Sequence, residues 1–296
     1  MNLIVINLPF NPYIIDFGAL ALSWHGFFTA VGLITSLYLV VKWSQNRSKL
    51  LTQHGESELH LTADTVLQVA PWAILSGIIG ARLFHVIDFW SAIYVYDPIS
   101  VLYIWKGGIA IYGAVLGGFL GGFLYLKVRN SVNFLNVIEA IPFFKRPSSI
   151  ALPKPGILAD LVAAPMILGM AIGRIGDVIN GEHFATYTDL PWGIIYTHPL
   201  SPGVGRPASH PAVFYELLWD LAVFALLIWL KDKVRPNGMI FVIFILLYSF
   251  GRFFIMFLRE DYYMNILGFN QAQIVALVLV LITLPIVCFR ARFFKK

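Results

Sequence analysis

Two arginines, Arg174 and Arg252, each lie inside a long apolar run. An arginine at the centre of a membrane helix costs roughly 2.5–3.5 kcal/mol on insertion scales, so its presence there calls for a task. Other polar residues gather at the edges of the same runs: His25, Arg82, His85, Asp88, Tyr112, Asp177, Asn180, Glu182, His210, Tyr215, Glu216 and Arg259. A guanidinium is planar and forked, and it meets a phosphate by paired hydrogen bonds. Arg82, Arg174, Arg252 and Arg259 are therefore candidate phosphate ligands. Asp177, Glu182 and Glu216 are candidates to hold those guanidiniums in place. Such a group, kept at lipid depth, suits an anionic phospholipid headgroup.

The elements that position these residues follow from composition. Of 296 residues, 58% are hydrophobic and only 12% are charged, about half the charged share of a soluble domain. That excludes a disordered chain, a coiled coil, an ordinary nucleic-acid-binding domain and a soluble two-domain enzyme. An all-α, polytopic integral membrane protein is expected, with about seven transmembrane helices in a single transmembrane domain over residues 1–296. The apolar runs lie near Leu20–Trp43, Thr65–Trp90, Leu102–Val128, Ile157–Ile179, Pro211–Leu230, Gly238–Leu258 and Asn270–Phe289. Each is long enough to cross the hydrocarbon as a helix. The first residues do not read as a removable signal peptide.

The net charge of +5 is carried by alternate loops. Lys42, Arg47 and Lys49 follow the first run. Lys127, Arg129, Lys145, Arg146 and Lys154 separate the third from the fourth. Lys231, Lys233 and Arg235 follow the fifth, and Arg290, Arg292, Lys295 and Lys296 close the chain. By the positive-inside rule the N-terminus is outside and the C-terminus cytoplasmic. The basic segment Phe143–Pro155 then reads as a cytoplasmic connector. The segment 181–210, with four prolines and the aromatics Phe184, Tyr187, Trp192 and Tyr196, reads as an ordered extracytoplasmic loop. On this topology the polar residues of six helices sort to one depth, the outer leaflet.

Plainer roles compete for some residues. The glycines between Gly107 and Gly122 recur at spacings that allow close helix packing. His25 beside Trp24 suits an interfacial anchor, and Arg259 with Glu260 and Asp261 a solvated helix end. His183, His198 and His210 with Glu182 lack the spacing of a metal-ligand motif. The single cysteine, Cys288, lies far from the polar group and excludes a disulfide framework. Neither a metal nor an organic cofactor is expected, and no nucleic acid.

The motifs GRIGDVINGE at Gly173–Glu182 and Pro191-Trp192-Gly193 resemble the signature of the bacterial prolipoprotein diacylglyceryl transferases. The likeness runs along the chain: WHGFF at Trp24–Phe28, GARLFHV at Gly80–Val86, GGIAIYGAVLGG at Gly107–Gly118, HPAVFYE at His210–Glu216, and YSFGRFF at Tyr248–Phe254 with Arg259.

The resemblance implies a transferase of the bacterial cytoplasmic membrane. It would move the diacylglyceryl group of phosphatidylglycerol to the lipobox cysteine of a prolipoprotein signal peptide. A thioether would form and glycerol phosphate would leave, the first step of lipoprotein maturation. Arg174 and Arg252 would bind the phosphate and stabilise the leaving charge. Asp177 and Asn180 would shape the headgroup site, and Glu182 and Glu216 would orient the arginines. The thiolate is the nucleophile, so a proton acceptor is needed; His25 and Tyr112 are both candidates. The chain departs from the family's habit at Tyr112, often His, at Asp177, more commonly Asn, at Ala185, usually Gly, and at Met256, commonly Glu. The alternatives are a lipid transporter or flippase and a non-catalytic phospholipid-binding relative.

Overall fold

The computed structural model describes residues 5–17, 21–53, 62–104, 107–140, 152–260, 265–266 and 268–294. It is mostly helical: α1 (Trp24–Gln53), α2 (Ala63–Asp88), α3 (Ile111–Val128), α4 (Val132–Ala140), α5 (Pro155–Asn180), α6 (Ala212–Leu230), α7 (Met239–Ile255) and α8 (Gln271–Arg290). Among the described residues, 7 helices are long and apolar enough to cross a membrane, all but α4. Strands are confined to short pairs outside these helices. Most of the basic connector at 143–155 lies outside the described residues, as do Asp261, Lys295 and Lys296.

The chain divides into two compact units, Met1–Leu39 with Val162–Lys296, and Val40–Leu161. The boundaries fall within α1 and within α5.

In the second unit α2 and α3 pack backbone to backbone. A Cβ on Gly80 would meet Gly113 and Gly117, and one on Gly117 would meet Ser76 and Gly80. Glycine removes the side chains that would hold the helices apart, so dispersion contacts form along the whole seam. Thr62 opens α2 by accepting the Thr65 N–H at 3.2 Å.

The third span starts later than the apolar run suggests. Leu102 ends a short 3-10 turn, and α3 begins only at Ile111. The cause is the Gly107–Gly108 pair, whose φ values of 83° and 77° are left-handed and end any helix there. Arg82 of α2 then gathers the carbonyls of Ser100 and Val101 in the 3-10 turn and of Gly107 and Gly108 beyond it. Backbone outside an α-helix or a strand needs such partners.

The first unit holds the start of α1, the end of α5, α6, α7, α8 and the segment 181–210. Gly32 and Gly169 let α1 and α5 touch through their backbones, and Ser36 donates to the Pro165 carbonyl at 2.7 Å beside them. Trp219 of α6 lies across Gly251 of α7 and donates to the Leu247 carbonyl at 2.9 Å. Asn270 and Gln273 form a capping box that starts α8.

Segment 181–210 is ordered by backbone pairing. Ile194–Tyr196 runs parallel to Ile6–Leu8, and Tyr187 and Ile194 both bridge to Ser209. Arg206 stacks over Phe184 at 4.3 Å and pairs with Glu260 at 2.7 Å. Trp192 donates to the Tyr215 hydroxyl at 2.8 Å.

Candidate functional site

The signature in α5 supplies the frame. Arg174 and Asp177 are three residues apart on a helix, so they share a face, and the Arg174 Nη1 reaches Asp177 Oδ2 at 2.8 Å. Gly176 sits between them in sequence. A Cβ there would come within 2.7 Å of the His25 Cα, so the absence of a side chain is what allows the start of α1 to lie against α5. Asn180, one further turn along, accepts the His25 N–H at 3.3 Å. That amide belongs to the first turn of α1 and has no partner within its own helix. Ser23 satisfies the next one, accepting the Gly26 N–H at 3.1 Å.

The α5 face then receives groups from α6, α7 and the segment after α7. Glu216, in the first turns of α6, is buried and collects three guanidiniums. Its Oε2 lies 2.7 Å from Arg174 Nη2. Its Oε1 pairs with Arg252 of α7 and lies 3.3 Å from Arg259 Nη1. Arg259 also meets His183 Nδ1 at 2.7 Å through Nη2. Breaking a buried pair by removing one partner costs about 3–5 kcal/mol, because the other charge is stranded. The three cations are thus held at one place by a carboxylate they share.

Asp177 is the second buried anion. Besides Arg174, it pairs with His25 Nδ1 and lies 3.6 Å from His183 Nε2. His25, Asp177 and Glu182 could offer metal ligands within 4.8 Å of one another, although the Asp177 oxygens already serve His25 and Arg174. Glu182 lies 3.8 Å from His25 Nδ1, and its side chain is 41% exposed. His25 is 36% exposed, whereas Arg252 and Glu216 are below 10%. The imidazole and Glu182 therefore form the accessible side of the cluster and the arginines its buried side.

The wall on the 181–210 side is polar as well. Tyr196 donates to the Val178 carbonyl at 2.8 Å. Burial, with the Asp177 carboxylate adding to it, pushes the Tyr196 phenol above its ordinary pKa, so it keeps the proton it donates. Ala185 bridges to Arg259 through the backbone, which ties this segment to the end of α7.

Of the residues singled out in the sequence, His25, Arg174, Asp177, Asn180, Glu182, Glu216, Arg252 and Arg259 come together in the first unit. Arg82 and Tyr112 belong to the second. There Arg82 donates to four carbonyls, and His85 meets the Tyr94 hydroxyl at 2.9 Å. Tyr112 lies in the first turn of α3.

Two residues of the site escaped the sequence reading. His183 offers itself in the sequence only as a metal ligand, yet it stands between Asp177 and Arg259. Asp220 lies one turn beyond Glu216 in α6, is 1% exposed, and its Oδ2 has no hydrogen-bond partner among the described residues. The cost of an acid inside an apolar run was the available signal for Asp220.

The sequence profile of the family described as prolipoprotein diacylglyceryl transferase matches residues 12–145 and 151–289. Proteins named phosphatidylglycerol–prolipoprotein diacylglyceryl transferase are similar to this chain along most of its length. That of Dehalococcoides mccartyi is 32% identical over 291 residues, 97% of this chain and 96% of its own. That of Clostridioides difficile is 33% identical over 259 residues, 87% of this chain and 86% of its own. That of Nostoc sp. is 31% identical over 277 residues, 90% and 84% respectively. A profile match across nearly the whole sequence, with the GRIGD segment placed where α5 meets α1, α6 and α7, shows that the chain belongs to the prolipoprotein diacylglyceryl transferase family.

Proposed function

We propose that this multi-pass membrane protein transfers the diacylglyceryl group of phosphatidylglycerol to the lipobox cysteine of prolipoprotein signal peptides, as the names of its relatives indicate for them. The observation that carries the reading is the pairing of Arg174 and Arg252, from different helices, with the two oxygens of Glu216. A guanidinium carries its five N–H donors in a planar fork, a geometry that matches a phosphodiester as well as a carboxylate. As the glyceryl carbon–oxygen bond breaks, negative charge grows on the phosphate, and donors already fixed in place stabilise that charge without reorganising. Arg259 extends the cationic side of the site, and its Nη2 donates to His183 Nδ1. Asp177 and Glu216 keep the arginines from repelling one another.

The protein acts in the bacterial cell membrane, with its N-terminus outside, its C-terminus in the cytoplasm and the site toward the outer leaflet. Support for the orientation comes from the Lys and Arg content of alternate loops. Arg174, Arg252, Arg259, Asp177, Asn180, Glu182 and Glu216 build the headgroup site. The test is direct. The purified chain, given phosphatidylglycerol vesicles and a lipobox peptide, should yield a peptide bearing a diacylglyceryl thioether by mass spectrometry. Unmodified peptide after prolonged incubation with folded protein would end the proposal.

A further inference from the structure

The thiol of the acceptor cysteine must lose its proton, and the structure offers a built device for taking it. His25 stands at the start of α1, and two residues of α5 immobilise it: Asn180 holds its backbone N–H at 3.3 Å, and Asp177 pairs with its ring Nδ1. Asp177 is buried and is itself fixed by Arg174 at 2.8 Å. An imidazole that gives its Nδ1 proton to a buried carboxylate presents the lone pair of Nε2 outward. The His25 side chain is 36% exposed, so the ring lies on the accessible side of the cluster, with Arg252 buried behind.

We infer that His25 is the proton acceptor for the cysteine thiol and that Asp177, besides fixing Arg174, is its positioning residue. This rests on the transferase reading above. The thiol proton passes to His25 Nε2, and the sulfur forms a bond to the glyceryl carbon that carries the phosphate ester. The carbon–oxygen bond breaks, its electron pair stays on the phosphate oxygen, and glycerol phosphate departs. His25 then releases the proton to the departing phosphate or to water. The charged groups facing the imidazole are Asp177 and Arg174 of α5 and Glu182 just after it. Asp177 therefore serves two partners, and it couples the arginine that meets the phosphate to the base that meets the thiol.

The test uses the full chain with phosphatidylglycerol vesicles and a lipobox peptide, following thioether formation. His25→Gln should lower kcat by about 10²–10⁴-fold, the usual range for a lost general base, with KM for the lipid unchanged. The deficit should shrink as pH rises toward the ionisation of a free thiol near about 8.5, where solvent does the base's work. Asp177→Asn should also lower kcat more than it raises KM. The double variant should lose less than the product of the two single losses, because residues acting as one unit are not additive. The assignment is overturned if His25→Gln keeps the wild-type rate, if the Asp177→Asn loss lies wholly in KM, or if the two losses multiply. It is also overturned if a chelator abolishes wild-type activity and a divalent cation restores it, since His25, Asp177 and Glu182 would then be metal ligands. A wild-type chain that makes no thioether removes the transferase reading and this one with it. Thioether formation by the wild type together with an active His25→Gln removes this one alone.

Discussion

Arg174 and Arg252 are joined by one side chain: each takes a different oxygen of Glu216, Arg174 at 2.7 Å on Oε2 and Arg252 on Oε1. The arginines come from α5 and α7 and the carboxylate from α6, so three helices are pinned at one point. If the pair also receives a phosphate, planarity matters as much as charge. Arg174→Lys and Arg252→Lys keep the charge and lose the fork. Each should reduce kcat/KM for thioether formation by about 10²–10³-fold, the range for removing one donor from an oxyanion site, while the protein still inserts and purifies at wild-type yield.

Glu216→Gln has a different expected signature. It leaves three guanidiniums around a neutral amide and strands buried charge. A stability loss of about 3–5 kcal/mol is expected, seen as a lowered unfolding midpoint in detergent and not solely as lost turnover. An unchanged midpoint would show that the arginines find other anions.

Gly173 and Gly176 of the signature should respond differently to alanine. A Cβ on Gly173 would find only the Thr29 hydroxyl, at 3.8 Å, whereas one on Gly176 would press on the backbone of Trp24 and His25. Gly173→Ala should change stability by less than about 0.5 kcal/mol, as surface-like substitutions do. Gly176→Ala should cost about 1–3 kcal/mol by overpacking and should depress activity further by displacing His25. Thermal unfolding and thioether assays on the pair would check both.

Arg82 has a task within its own unit. Its guanidinium ties the carbonyls of Ser100, Val101, Gly107 and Gly108 to α2. Lysine offers three donors from a single nitrogen and cannot span those positions. Arg82→Lys should raise amide exchange across 98–104 and 107–110 with little change in the glycine seam between α2 and α3. Equal protection in both proteins would show that the segment holds itself.

Asn270 gives a control remote from the chemistry. Its side chain accepts the Gln273 N–H at 2.9 Å and caps α8. Asn270→Ala should cost about 1 kcal/mol of stability and leave thioether formation unchanged.

Seven apolar runs, their lengths and the basic loops were legible in the sequence, because each depends only on residue type along the chain: twenty apolar residues must become a helix in lipid whatever surrounds them. The GRIGD segment likewise announced a site, since helix periodicity alone sets Arg174 and Asp177 on one face. What one dimension could not carry was partnership. Which carboxylate holds which arginine depends on how α5, α6 and α7 pack, so Glu216 proved the shared anchor while Glu182 lies on the accessible side near His25. The late start of α3 was hidden for a related reason, because Gly107 and Gly108 fit close packing and a helix-ending turn equally well until their φ values are known. His25 beside Trp24 suited an interfacial anchor in the sequence. Only the bare backbone of Gly176, by letting α1 close onto α5, decided that its ring would face Asp177.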